Sequence, residues 1–109
     1  MIIVISKKAT EEELEKMAED FGGDYIKVVI DVSMSILAGG GERHFDAEQI
    51  LLSQDSDQED LWGGGLDQKT KTIDYNSMIN LRPKQNPSRD ILSSEIRAKF
   101  DKIIKELLL

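Results

Sequence analysis

Ile2 to Ile5 is a run of β-branched residues that stops at Ser6-Lys7-Lys8, the pattern of a short buried strand. Thr10 and Glu13 then stand at capping-box spacing, and Leu14, Met17, Ala18 and Phe21 recur at i, i+3, i+4 and i+7. This spacing predicts an amphipathic helix ended by Gly22-Gly23. From Tyr25 to Val32 the period changes to two, with Ile26, Val28, Ile30 and Val32 on one side and Lys27 and Asp31 on the other, as in a central strand. Ser33-Met34-Ser35 either turns the chain into a second strand, Ile36 to Ala38, or bends a continuous one. In both cases Gly39-Gly40-Gly41 ends regular structure.

Beyond the glycines, Asp46 with Gln49 three residues on predicts the cap of a short helix that carries Ala47, Ile50 and Leu51 on one face. Ser53 to Asp60 is polar and acidic, an exposed loop. Leu61-Trp62 resumes apolar character and Gly63-Gly64-Gly65 interrupts it. Asp67-Gln68-Lys69 then suits the turn of a hairpin whose second arm runs from Lys71 to about Leu81, with Ile73, Tyr75, Ser77, Ile79 and Leu81 on one face. Arg82-Pro83 breaks that arm, and Pro87 keeps the following stretch extended or turning. Ser93 caps a final helix whose stripe is Ile96, Phe100, Ile103, Ile104, Leu107 and Leu108, with Lys102 and Lys105 toward its C-terminal end.

The order β-α-β-(β)-α-β-β-α predicts an α+β two-layer sandwich, with a mixed or antiparallel sheet of four to five strands, two main helices mainly on one face, and one short helix. A chain of 109 residues supports one core and shows no repeat or linker, so residues 1–109 are read as a single domain.

Composition narrows the chemistry. There is no cysteine, which removes disulfides, thiolate metal sites and a thiol nucleophile. The first apolar run is brief and its basic residues follow it, the reverse of a secretory signal, and no segment is long and apolar enough to cross a bilayer. The expected compartment is the cytoplasm. A net charge of −7 disfavours nucleic acid and anionic membrane as partners. Arg82, Lys84 and Arg89 nevertheless form a local basic stretch without an acid between Asn80 and Arg89.

Three segments concentrate unusual polar residues. In Gly39 to Glu48 the sole histidine, His44, has Asp46 and Glu48 close in sequence, which suits a general base oriented by an acid, or one imidazole and two carboxylates around a hard divalent ion. The competing assignment makes Asp46 a helix cap, Glu48 a first-turn acid and His44 a partly buried residue bonded to backbone. One histidine is too few for a dedicated zinc site and no metal site is expected, while the sequence leaves the identity of any cofactor open. In Leu61 to Gly65, three consecutive glycines beside the sole tryptophan, Trp62, suggest close approach of backbone to a ligand or to another strand. In Asp74 to Asp90, Arg82 directly after a strand could offer its donor fork to a carboxylate or phosphate, with Asn80, Asn86, Ser88 and Arg89 adding donors. An internal ion pair of Arg82 with an acid of the first segment is the equal alternative. No GxSxG, HExxH, GxxxxGK[ST] or calcium-loop spacing occurs.

Gly40-Gly41-Glu42-Arg43-His44-Phe45-Asp46-Ala47-Glu48, then Leu61-Trp62-Gly63, then Ser77-Met78-Ile79-Asn80-Leu81-Arg82-Pro83 with Asn86 beyond, resemble a family of short bacterial proteins catalogued as a domain of unknown function. The resemblance covers nearly the whole chain. Family members tend to read His-Ala-Asp-Ala-Glu at positions 44 to 48 and to carry asparagine at position 65, so His44, Asp46 and Glu48 match whereas Phe45 and Gly65 depart. It implies a fold-sized unit and no mechanism.

Two functions lead, with nucleic-acid binding a weaker third that requires the Arg82 to Arg89 patch to overcome the net negative charge. The first is a small binding or interaction domain, homodimeric through the last helix or the Trp62 segment, for which the apolar end Leu107-Leu108-Leu109 speaks. The second is a small enzyme acting on a phosphorylated or nucleotide-like ligand, with His44 as acid or base, Asp46 or Glu48 orienting it, and Arg82 with Arg89 binding the anion. The enzyme requires His44 and Arg82 to line one water-accessible pocket.

Overall fold

A computed structural model describes all of residues 1–109. Strand β1 (Ile3–Ile5) is followed by helix α1 (Glu11–Ala18), extended by a 3-10 turn over Glu19–Phe21. The capping box is present in both directions: Thr10 Oγ1 accepts from the Glu13 N–H at 3.1 Å, and Glu13 Oε1 accepts from the Thr10 N–H at 2.9 Å. Strands β2 (Tyr25–Asp31) and β3 (Ile36–Gly39) are two strands of a hairpin rather than one bent strand. Asp31 explains the turn. Its Oδ1 accepts from the N–H groups of Ser33 and Met34, and its Oδ2 from the Ser56 hydroxyl, so a carboxylate only 1% exposed is fully partnered.

Helix α2 (His44–Ser53) precedes strands β4 (Leu61–Asp67) and β5 (Thr72–Asp74), and helix α3 (Ser94–Leu108) closes the fold with the Ser93 cap in place. The five strands lie in the order β1-β3-β2-β4-β5 with every neighbouring pair antiparallel. β1 and β2 therefore run the same way with β3 between them, and α1 makes the crossover.

The two faces of the sheet bury different sets. Ile26, Val28, Ile30, Leu37, Trp62 and Leu66 pack with Met17 and Ala18 of α1 and with Phe100, Ile103, Ile104, Leu107 and Leu108 of α3. This is the predicted sandwich, and it places the leucines at the end of the chain inside the main core. The opposite face is covered in part by α2, where Val29, Ala38 and Leu61 meet Ala47 and Leu51. Removing Phe100, fully enclosed among these groups, would cost about 3–5 kcal/mol.

Two expectations are corrected. α2 begins at His44, two residues before the expected cap, and Arg43 occupies the cap position without a capping side chain. The Arg43 guanidinium binds both oxygens of Asp46, at 3.1 and 2.9 Å, across that first turn, so the Asp46 carboxylate pairs with Arg43 instead of capping. The second hairpin arm stops at Asp74 instead of reaching Leu81, and residues 75–81 leave the ladder for a 3-10 turn at Met78–Asn80. The five residues assigned to one face accordingly divide, Ile73 and Tyr75 packing on the α3 side and Ile79 on the α2 side.

The cause lies in β4. Its glycines are a buried, paired part of the strand, and the missing side chains admit neighbours: a methyl on Gly63 would come within 2.7 Å of Ser77, one on Gly64 within 2.6 Å of Phe100 Cζ and against the Asp74 carbonyl, and one on Gly65 onto the Tyr25 ring. Chain 74–80 thus lies closer to β4 than an ordinary strand with side chains permits.

Candidate functional site

A groove opens where the start of α2 faces the stretch from Asp74 to Ile79. One part, a cavity of about 460 Å³, is lined by Lys27, Arg43, His44, Phe45, Ser77, Met78 and Ile79. An adjoining part of about 250 Å³ is lined by Tyr25, Lys27, His44, Asp74, Asn76, Ser77, Met78 and Arg89. Lys27, His44, Ser77 and Met78 belong to both, so the two are halves of one depression.

His44 stands at their junction. Its Nε2 lies 2.7 Å from the Gly64 carbonyl oxygen, which can only accept, so Nε2 carries the proton. Burial holds the imidazole below its ordinary value of 6.5; the Gly64 contact and Asp74 oppose that shift and Lys27 adds to it. The ring is therefore neutral at pH 7 with a bare lone pair on Nδ1. No protein group bonds Nδ1, and no partnerless side-chain nitrogen is sealed in the interior, so Nδ1 faces solvent.

Cations flank this imidazole. Lys27 projects from the polar side of β2, gives one proton to the Glu42 carbonyl at 2.7 Å and lies 5.3 Å from the centre of the Phe21 ring. The Arg89 side chain is exposed, while its carbonyl is held by the N–H of Ser77 at 3.0 Å and by Asn80 Nδ2 at 2.9 Å. Neither cation is in an ion pair. Asp74 lines the same half, but its oxygens accept from the Tyr25 hydroxyl at 2.6 Å and the Asn76 N–H at 3.2 Å. Burial first, then that hydrogen bond, pushes the Tyr25 hydroxyl far above its usual 10.

The other residues singled out in the sequence lie elsewhere. Asp46 is held by Arg43 on the exposed side of α2. Glu48 is buried one turn beyond His44. Burial raises its carboxyl above the ordinary 4.5, against the opposing pull of Gln58 and Arg82. Neither acid bonds the imidazole. Arg82 lines a separate cavity of about 290 Å³ with Gln58, Glu59, Ile79, Leu81, Pro83 and Gln85. Its guanidinium donates to the carbonyls of Gln58, Glu59 and Leu61 and stacks 3.9 Å from the centre of the Trp62 ring, itself 2% exposed. The shared His44 and Arg82 pocket is not formed, and the Arg82 fork is taken up by backbone.

Asn80 and Asn86 organise the loop that carries Arg89. Asn80 Oδ1 accepts from the Gly63 N–H, and the two protons of its Nδ2 are shared among the carbonyls of Gly63, Tyr75 and Arg89, each 2.9 Å away. Asn86 Nδ2 contacts the carbonyls of Asn80, Ser88 and Asp90, and its Oδ1 accepts from the Leu92 N–H. Ser88 Oγ accepts from the Asp90 N–H. These amides and this hydroxyl hold the frame, and Arg89 is the side chain the frame presents.

A family model described as "Protein of unknown function (DUF5674)" matches residues 3–107. The chain belongs to this family. No curated protein and no solved structure matches it. In this DUF5674 chain the chemistry is therefore read from the groove itself.

The groove combines a neutral imidazole acceptor, two unpaired cations and an apolar rim, a set that can hold an anion beside an apolar group. No cluster of three or more histidine, cysteine or carboxylate side chains is placed to hold a metal ion. Of its members, His44 and Arg89 were visible in the sequence. Asp74 opened the third polar segment without a role of its own, and Lys27 and Tyr25 were not singled out, although their place on the polar side of a central strand is the signal that could have marked them.

Proposed function

We propose that the protein is a binding domain for a small anionic ligand, seated between the start of α2 and the Asp74 to Ile79 stretch. The supporting observation is that Lys27 and Arg89 converge on one cavity without a carboxylate partner, in a chain of net charge −7. Unpaired cations are expensive to bring together, since like charges repel and only solvent or a ligand offsets that repulsion. Asp74 moderates it, yet its oxygens already accept from Tyr25 and Asn76. Lys27 retains protons beyond the one given to Glu42. The frame built by Asn80 and Asn86 fixes the backbone from which Arg89 extends.

Titration of isotope-labelled protein with inorganic phosphate tests this reading. Amide shifts are expected at Lys27, His44, Phe45, Ser77, Met78 and Arg89, and are expected to vanish in the Lys27→Gln/Arg89→Gln double variant. Shifts centred on Lys102 and Lys105 of α3, or unchanged in the double variant, would overturn it.

A further inference from the structure

We infer that the ligand is bipartite: a phosphate-type anion held by Lys27 and Arg89, joined to an aromatic ring that lies against Phe45, Met78 and Ile79. This inference rests on the binding reading above and adds to it the class of ligand.

The two halves of the groove differ in kind. Around Arg89 the walls are chiefly polar, with Asp74, Asn76, Ser77 and the Tyr25 hydroxyl, and Met78 is shared with the other half. On the other side of His44 they are Phe45, Met78 and Ile79, with the aliphatic stems of Lys27 and Arg43 beside them. Phe45 is 54% and Met78 62% exposed, and both stand at the rim of a cavity of about 460 Å³, within the size range of small-molecule sites. Large apolar side chains on opposite walls of a concavity leave apolar surface in water that a flat ring would cover from both sides. Methionine suits that role because its unbranched, polarisable thioether adapts to a ring face or edge.

A purely apolar ligand would leave Lys27 and Arg89 unanswered, and a bare anion would leave Phe45 and Met78 in water. A molecule that joins the two answers both. The halves meet at Lys27, His44, Ser77 and Met78, so the anion and the ring of one small molecule can be directly linked. Asp74 lines the smaller cavity as well, where its carboxylate is engaged by the Tyr25 hydroxyl and is outnumbered by Lys27 and Arg89.

Binding of inorganic phosphate and of phenyl phosphate to the full chain, followed by nuclear magnetic resonance, tests the inference. Phenyl phosphate is expected to bind about tenfold more tightly, the effect of covering one ring in a partly open site. The Phe45→Ser/Met78→Ser variant changes exposed positions and is expected to remain folded; it should bring phenyl phosphate down to the affinity of inorganic phosphate. Lys27→Gln/Arg89→Gln should weaken both. Equal affinities in the unmodified protein, or a ring advantage that survives Phe45→Ser/Met78→Ser, would overturn the bipartite ligand and leave anion binding standing. Failure of both probes to bind would overturn the binding reading with it.

Discussion

Asn80 pairs with Gly63 as though it were a residue of a neighbouring strand: the Gly63 N–H donates to Asn80 Oδ1 at 2.8 Å, and Asn80 Nδ2 donates to the Gly63 carbonyl at 2.9 Å. A side-chain amide thus completes the edge of β4 where β5 has already ended. The same amide holds the Arg89 carbonyl, so sheet edge and groove share one anchor.

Asn80→Ala should therefore be costly. It strips the partner from the buried N–H and carbonyl of Gly63, at about 1–3 kcal/mol for each group left unsatisfied, while the Tyr75 and Arg89 carbonyls keep the N–H groups of Ile91 and Ser77. Denaturant unfolding should show a loss of at least about 2 kcal/mol, and hydrogen exchange at the Gly63 amide should accelerate. An unchanged Gly63 exchange rate would show that the amide pairing does not protect the strand edge.

Gly64→Ala and Gly22→Ala separate two reasons for glycine. At Gly64 a methyl meets the Asp74 carbonyl and lies 2.6 Å from Phe100 Cζ, so overpacking should cost about 1–3 kcal/mol or more and displace the His44 partner. At Gly22 nothing lies within 4 Å and only the φ of +70° opposes a side chain, which should cost about 1 kcal/mol. Thermal melts of the two variants should rank in that order.

Arg82→Lys should not rescue Arg82→Ala. The planar fork serves the carbonyls of Gln58, Glu59 and Leu61 while stacked on Trp62, a geometry an ammonium cannot reproduce. Both variants should unfold at lower denaturant than the parent protein and keep phosphate binding at the groove. Loss of phosphate binding without loss of stability would instead make Arg82 the anion anchor.

Glu48 and His44 should bend the pH dependence of stability in opposite directions. The Glu48 carboxyl is raised in the folded state, so its contribution is full below about pH 4.5 and is lost as pH rises through the folded value. The His44 imidazole is lowered, so its contribution is present above about pH 6.5 and is lost as pH falls through the folded value. Relative to the parent protein, Glu48→Gln should gain stability as pH rises above 4.5, whereas His44→Gln should lose its disadvantage as pH falls below 6.5. Urea unfolding between pH 4.5 and pH 8 reads both slopes.

The elements whose signals are local were legible in the sequence. Thr10 with Glu13, the alternation from Ile26 to Val32 and the stripe ending at Leu108 each carry their instruction within a few residues, and each formed where expected. The end of β5 was not legible, because what replaces the ladder is a side chain from Asn80 reaching Gly63, 17 residues away in sequence. The start of α2 was misplaced for a related reason: Asp46 has cap chemistry, but Arg43 holds its carboxylate. In the site, His44 was conspicuous as the sole histidine. Arg89 was singled out too, but as a partner of Arg82; its place beside Lys27 of β2 and Asp74 of β5 was not legible, because only tertiary packing makes them adjacent.

The most direct test of the groove as an anion site is the pH titration of the His44 ring by nitrogen-detected magnetic resonance, with and without inorganic phosphate. Its charged surroundings are Lys27, Arg43 and Arg89 against Asp74, with the Tyr25 hydroxyl bonded to that acid. Without phosphate the imidazole should titrate below 6.5 with its proton on Nε2. An anion bound between Lys27 and Arg89 favours the imidazolium, so phosphate should move the midpoint upward. A midpoint that stays in place at saturating phosphate, with Lys27 and Arg89 equally unmoved, would contradict the account.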